Sequence, residues 1–137
     1  MILVDTGPPV ALFDRKGPDH GGCEAFLRGV REPLLTTVPV LTEAFHLLSP
    51  GGRAAGALAE FSRRGGLVVH FLDDAGLRRA LDLMDQYADH PMDLADASLV
   101  TAAEMHRSLR VWTIDRGDFD TYRARIGRTH KAFVVVG

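Results

Sequence analysis

The chain has 137 residues, of which 46% are hydrophobic and 25% charged, the size and composition expected of a single globular domain over residues 1–137. A formal net charge of −2 argues against a protein whose whole surface binds nucleic acid, and one cysteine, Cys23, excludes an internal disulfide framework. No apolar run approaches the roughly 20 residues that span a bilayer, and the first residues lack the basic region of a signal peptide. We therefore expect a soluble cytoplasmic protein.

Short apolar runs alternate with helical patterns along the chain. Predicted strands lie at 2–4, 34–37, 67–71, 111–114 and 133–136. Predicted helices lie at 10–13, 20–30, 39–48 and 53–64, then from the caps Asp73 and Asp93 through Tyr87 and Leu109. This alternation predicts an α/β fold with a mostly parallel sheet. The basic stretch 122–131 shows no clear period, and we expect it to be irregular and mobile.

Four acidic residues fall where such a fold places ligand sites. Asp5 and Asp115 directly follow predicted strands, and Asp96 lies in the first turn of a predicted helix. Glu43 lies about one turn into the helix after the second strand, among apolar neighbours. Because ligands bind beyond the carboxyl ends of parallel strands, we expect these four carboxylates to share one crevice.

Each acid alone also has an ordinary structural interpretation. Asp93 is typical of a helix N-cap, Asp96 is favoured by the helix dipole, and Asp5 and Asp115 suit turns. Together, carboxylates about 5 Å apart would repel one another by roughly 3 kcal/mol per pair. Such a cluster needs a cation or bound protons, and an all-oxygen ligand set favours Mg²⁺ or Mn²⁺ over zinc. The chemistry indicated is phosphodiester hydrolysis.

Other site types fit the sequence less well. Asp5-Thr6-Gly7 resembles the aspartic protease triplet, but that fold is all-β and this chain is rich in helical patterns. There is no phosphate-binding glycine loop after a strand and no nucleophile elbow, and the six histidines are scattered. A binding module without activity, such as an inactive regulatory subunit, remains open on these grounds.

Four segments in order carry a resemblance to the PIN-domain ribonucleases of the VapC toxin type. They are Ile2-Leu-Val-Asp5-Thr, Pro39-Val-Leu-Thr-Glu43-Ala, Asp93-Leu-Ala-Asp96-Ala-Ser-Leu-Val and Val111-Trp-Thr-Ile-Asp115-Arg-Gly-Asp-Phe119. The resemblance implies a PIN-like α/β/α sandwich and a Mg²⁺ cofactor, with Mn²⁺ as an alternative. It also implies an RNA substrate, a cognate antitoxin protein that blocks the site, and a homodimer.

By position, Asp5, Glu43, Asp96 and Asp115 match the acidic quartet of that family, so the resemblance implies that they are its catalytic metal ligands. Asp93 and Asp118 match acids found in only some members. The function implied is a Mg²⁺-dependent endoribonuclease acting as the toxin of a type II toxin–antitoxin pair. The alternative is a PIN-like RNA-processing or regulatory protein without a toxin role.

Arginine dominates the basic residues, since only Lys16 and Lys131 are lysines. Arginine makes bidentate contacts with phosphate, but a genome rich in G and C is the better explanation of the bias. The net charge still allows a local basic rim for RNA, and if one exists we predict that it contains four arginines: Arg116, Arg123, Arg125 and Arg128.

Overall fold

The computed structural model describes all 137 residues, arranged as a five-stranded parallel sheet between helices, with a separate two-stranded hairpin. The strands are β1 (Ile2–Val4), β2 (Leu34–Thr37), β3 (Val68–His70), β4 (Arg110–Trp112), β5 (Arg123–Ile126), β6 (Thr129–Ala132) and β7 (Val134–Val136). The helices are α1 (Gly7–Phe13), α2 (His20–Gly29), α3 (Val38–Leu47), α4 (Arg53–Arg63), α5 (Asp74–Gln86), α6 (Leu94–His106) and α7 (Arg116–Thr121).

The central sheet has the strand order β3-β2-β1-β4-β7, and every neighbouring pair is parallel. All three residues of β1 are buried, as expected for a middle strand covered on both faces. The predicted α/β sandwich with a mostly parallel sheet is therefore confirmed.

Successive residues of the strands supply two hydrophobic cores, one on each face of the sheet. Leu3, Leu35 and Val111 pack on the side of α5, α6 and the hairpin. Ile2, Leu34 and Trp112 pack on the side of α2 and α4. The alternation fixes the register of the strands, because a slip of one residue would exchange the two faces.

Helix α6 is buried along most of its length, and all residues from Ala97 to Ala103 are buried. Its alanines let α3, α5, β5 and the sheet approach closely. The N-cap Asp93 accepts a hydrogen bond from the Asp96 backbone N–H at 2.8 Å, as its position before the helix predicts. Asp96 is thereby set in the first turn of a rigid helix.

The region 116–132 differs from the prediction. Residues 122–131 do not form an irregular segment: β5 and β6 pair antiparallel across a turn in which Gly127 has a φ of 63°. The short helix α7 was not predicted, because its six residues include only one buried side chain, Phe119.

No helix of the chain has the length and apolar character needed to cross a membrane.

Candidate active site

A cleft of about 480 Å³ lies beside the carboxyl ends of β1 and β4 and the N-terminus of α6. All four acids predicted for the site line it, although they come from both ends and the middle of the sequence. The full set of carboxylates in its lining is Asp5, Asp14, Asp19, Glu43, Asp93, Asp96, Asp115 and Asp118. No Lys, Arg or His belongs to this lining, so the cleft is strongly negative.

Asp5 is the most buried of these acids, with 8% of its surface exposed. It follows β1 directly, and its backbone N–H donates to the Trp112 carbonyl at 3.0 Å. The Thr113 hydroxyl donates to Asp5 Oδ2 at 2.7 Å and fixes the carboxylate at the floor of the cleft. Burial raises the pKa of Asp5 above its usual value, while the Thr113 hydrogen bond acts in the opposite direction.

Asp96 stands opposite, in the first turn of α6, where Tyr122 donates its hydroxyl to Asp96 Oδ2 at 3.1 Å. Burial raises the pKa of Asp96 to about 7, and the nearby charges of Asp93 and Asp5 add to the effect. The bond from Tyr122 opposes this shift. In the absence of a cation, the Asp96 carboxyl group is therefore about half protonated at pH 7.

Glu43 and Asp115 complete the predicted set from opposite sides. Glu43 is half-buried on α3, and burial followed by the charges of Asp93 and Asp5 raises its pKa. Asp115 is exposed at the start of α7, and desolvation followed by the charge of Asp118 raises its pKa. The two residues thus extend the negative cleft beyond its centre at Asp5 and Asp96.

The donor chemistry of the cleft fits a hard divalent cation. Its candidate ligands are carboxylate oxygens, and the pKa of each predicted ligand is raised, the direction expected where burial and neighbouring charges disfavour the charged form. No three His, Cys, Asp or Glu side chains of the chain form a preorganised metal site. The cleft therefore fits a divalent cation by the chemical type of its ligand atoms and by its negative charge.

Sequence reasoning missed two side chains that contact these acids. Tyr122 is fully buried and packs edge-on against Tyr87 and Phe119 while its hydroxyl reaches Asp96. His90 Nε2 lies 3.0 Å from Asp118 Oδ1. Neither residue has a sequence signal of its own, because both contacts depend on how α7 and the loop before α6 pack together.

Two further acids of the lining, Asp14 and Asp19, were also outside the predicted set. Asp19 occupies the N-cap position of α2, without a side-chain hydrogen bond to the helix. Thr113 was likewise outside the predicted set, although its hydroxyl holds Asp5.

The family model described as "PIN domain" matches residues 2–124 of the chain. Among curated proteins, Ribonuclease VapC26 of Mycobacterium tuberculosis (strain ATCC 25618 / H37Rv) is 24% identical over 124 residues, which cover 89% of this chain and 92% of that protein. The match runs through all four acid-bearing segments, and it confirms the resemblance predicted from them.

Two solved structures share the fold. Mycobacterium tuberculosis VapC20, a toxin that cleaves the sarcin–ricin loop, is 20% identical with a TM-score of 0.77, over 86% of this chain and 94% of that one. FitAcB from Neisseria gonorrhoeae is 20% identical with a TM-score of 0.59, over 87% of this chain and 91% of that one.

Proposed function

Because the chain belongs to the PIN-domain family and is similar to VapC ribonucleases, we propose that it is a Mg²⁺-dependent endoribonuclease, for which Mn²⁺ is an alternative ion. We propose further that it is the toxin of a type II toxin–antitoxin pair. The observation that supports the first proposal is the cleft that Asp5, Glu43, Asp96 and Asp115 line together, without any cationic side chain. The toxin proposal rests on the names of the similar proteins.

Asp5, Glu43, Asp96 and Asp115 are the residues that would hold the ion. A divalent cation held there would supply two effects: it would make a water molecule more acidic, and it would neutralise charge on the phosphate oxygens. The protein's own contribution is positioning: Thr113 orients the Asp5 carboxylate and Tyr122 orients that of Asp96. In the cation's absence, the negative cleft repels a phosphodiester.

The whole chain, residues 1–137, acts in this proposal as one PIN-like domain in the cytoplasm, where its RNA substrate is found. A cognate antitoxin protein covers the cleft, and two copies of the chain form a homodimer. The similarity to VapC proteins supports the proposal of these partners.

Cleavage of RNA by the purified chain tests the proposal. With Mg²⁺, the wild type should cut RNA at internal bonds, and EDTA should stop the reaction. Asp5→Asn and Asp96→Asn should each lower the cleavage rate by more than about 100-fold, since each removes a charge that holds the ion. The control Asp85→Asn, an exposed residue of α5 outside the cleft, should cleave at the wild-type rate. Wild-type rates in both cleft variants would refute the proposed site.

A further inference from the structure

The C-terminal part of the chain is cationic, in contrast to the cleft. Residues 122–137 contain the four cations Arg123, Arg125, Arg128 and Lys131 and no Asp or Glu. All four lie on the β5–β6 hairpin, next to the exposed His130. Although the net charge of the chain is small, its acidic residues are concentrated in the cleft and a group of basic residues lies on the hairpin.

The hairpin is firmly attached to the body of the protein. Ala124 is fully buried in the core beneath it. The Arg123 backbone N–H donates to the Tyr87 hydroxyl at 3.0 Å, and that of Arg125 donates to Glu104 Oε2 at 2.6 Å. Its outer face is therefore a fixed surface whose side chains are available to a ligand.

Some of the cations near the hairpin already form hydrogen bonds within the chain, and others form none with their side chains. The Arg116 guanidinium donates to the Gly137 carbonyl, and that of Arg123 donates to three backbone carbonyls. Two of the four arginines predicted for a basic rim are thus engaged already. Arg125, Arg128 and Lys131 are exposed and take part in no ion pair of the chain.

The acid nearest to the hairpin does not cancel this charge. Glu104 is held by Arg79 in a bidentate ion pair, with N–O distances of 2.8 and 2.9 Å. The Arg125 side chain therefore projects beside a carboxylate that is already neutralised. On the outer face, Arg125 lies opposite His130 in the register of the hairpin, whereas Lys131 lies opposite the buried Ala124 and is exposed on the other face.

β5 starts one residue after Tyr122, whose hydroxyl contacts Asp96, and then runs along α6 to Glu104, so the hairpin leads away from the cleft. The lining of the cleft has eight carboxylates and no cationic side chain, so protein cations that attract a phosphate chain must lie outside it. We propose that Arg125, Arg128 and Lys131 on the β5–β6 hairpin bind the phosphate backbone of single-stranded RNA where it leaves the cleft. This inference rests on the proposed function, since it assumes that RNA is the substrate.

Binding of a fluorescein-labelled, unstructured 20-nucleotide RNA tests the inference by fluorescence anisotropy. All variants carry Asp5→Asn and Asp96→Asn, so that the RNA stays intact. Arg125→Glu/Arg128→Glu/Lys131→Glu should raise the Kd at least tenfold. It should also lower the slope of log K against log salt by about 2, because each single-strand phosphate contact contributes about 0.7.

The matched control is Arg53→Glu/Arg63→Glu/Arg64→Glu, which makes the same change in net charge on α4, on the other side of the sheet. It should leave Kd and salt slope close to those of its parent, and circular dichroism should show all proteins folded. Equal losses in both triple variants would mean that only net charge matters and would overturn the inference. Unchanged RNA binding by the hairpin variant would also overturn the inference. This holds even if the same variant had lost binding to an acidic partner protein.

A second readout separates this inference from the proposed function. With the Asp5 and Asp96 carboxylates restored, the hairpin variant should hydrolyse bis(p-nitrophenyl) phosphate at the wild-type rate in Mn²⁺, because this diester is too small to reach the hairpin. Loss of hydrolysis in the hairpin variant would contradict a role confined to RNA binding. A wild type that binds RNA through the hairpin but hydrolyses neither substrate would refute the nuclease and leave the binding surface standing.

Discussion

Burial and the two neighbouring carboxylates of Asp93 and Asp5 all raise the pKa of the Asp96 carboxyl group. In the folded chain its pKa is about 7, against 3.8 for an unperturbed aspartate. Between these values the native state binds a proton that the unfolded chain does not, so stability falls as the pH rises through this range. The charged form of Asp96 is therefore a source of instability that a bound cation would remove.

Replacement of Asp96 by Asn should make the metal-free protein more stable at alkaline pH. In EDTA at pH 8, Asp96→Asn should raise the free energy of unfolding by about 1–3 kcal/mol, because the amide is not charged and still accepts the Tyr122 hydrogen bond. Urea unfolding at pH 5.5 and pH 8 measures this, and the difference between the two pH values should be smaller in the variant. Asp85→Asn should change neither, and an Asp96→Asn protein less stable than the wild type at pH 8 would contradict the account.

Tyr122 should act on the metal requirement through Asp96. Tyr122→Phe keeps the ring in its aromatic cluster but removes the hydroxyl that favours the ionised carboxylate, so the pKa of Asp96 should rise further. We expect the Mg²⁺ concentration for half-maximal cleavage to rise about tenfold, as the loss of one hydrogen bond to a charged group implies. The acid limb of the pH–rate profile should move to higher pH.

Tyr87→Phe is the matched control, since it removes a hydroxyl from the same cluster that contacts the Arg123 backbone and not Asp96. It should lower thermal stability and leave the Mg²⁺ requirement unchanged. If both variants shift the Mg²⁺ requirement equally, Tyr122 has only a packing role.

At the scale of the elements, two buried hydroxyls connect the helices that carry Glu43 and Asp96. Thr37 ends β2 and caps α3, and its Oγ1 lies 2.6 Å from the Ser98 hydroxyl on α6. Ser98 also donates to the Ala95 carbonyl. This side-chain contact therefore helps to fix the spacing between the two acid-bearing helices, together with their shared hydrophobic core.

Thr37→Val should weaken this connection; Ser98 keeps its bond to Ala95, but the buried Val40 backbone N–H loses the oxygen that caps it. The loss of a cap and a hydroxyl contact should cost about 1–3 kcal/mol of stability. We also expect cleavage at a temperature well below unfolding to fall several-fold, as Glu43 and Asp96 lose their fixed spacing. Thr37→Ser retains the hydroxyl and should restore most of both properties; failure of serine to do so would show that the methyl group matters instead.

The elements that the sequence predicts well are those whose patterns match burial on one or both faces. The strands of the central sheet and the longer helices follow from apolar runs and helical spacing, and the site acids follow from their positions at strand ends and in a first helical turn. The hairpin does not, because β6 is exposed at all four residues and shows no alternation. The contacts of Tyr122 with Asp96 and of His90 with Asp118 depend on how α7 and the loop before α6 pack together. The sequence therefore does not predict them either.

For the whole molecule, the separation of an acidic cleft from a basic hairpin frames the proposed biological role. If the chain is a toxin, its expression should arrest growth, and co-expression of a small neighbouring gene that encodes the antitoxin should relieve the arrest. The Asp96→Asn variant should be harmless at equal expression. Growth measured under inducible expression checks this, and harmless accumulation of folded wild-type protein would favour the alternative of a PIN-like protein without a toxin role.

The central claim is that the carboxylate cleft binds a divalent ion, and Mn²⁺ binding measured by isothermal titration calorimetry tests it most directly. We expect the wild type and Asp85→Asn to bind Mn²⁺ with equal affinity, and Asp5→Asn and Asp96→Asn to bind it at least tenfold more weakly. Mn²⁺ binding of wild-type strength in both cleft variants, or no binding to the folded wild type, would contradict the claim.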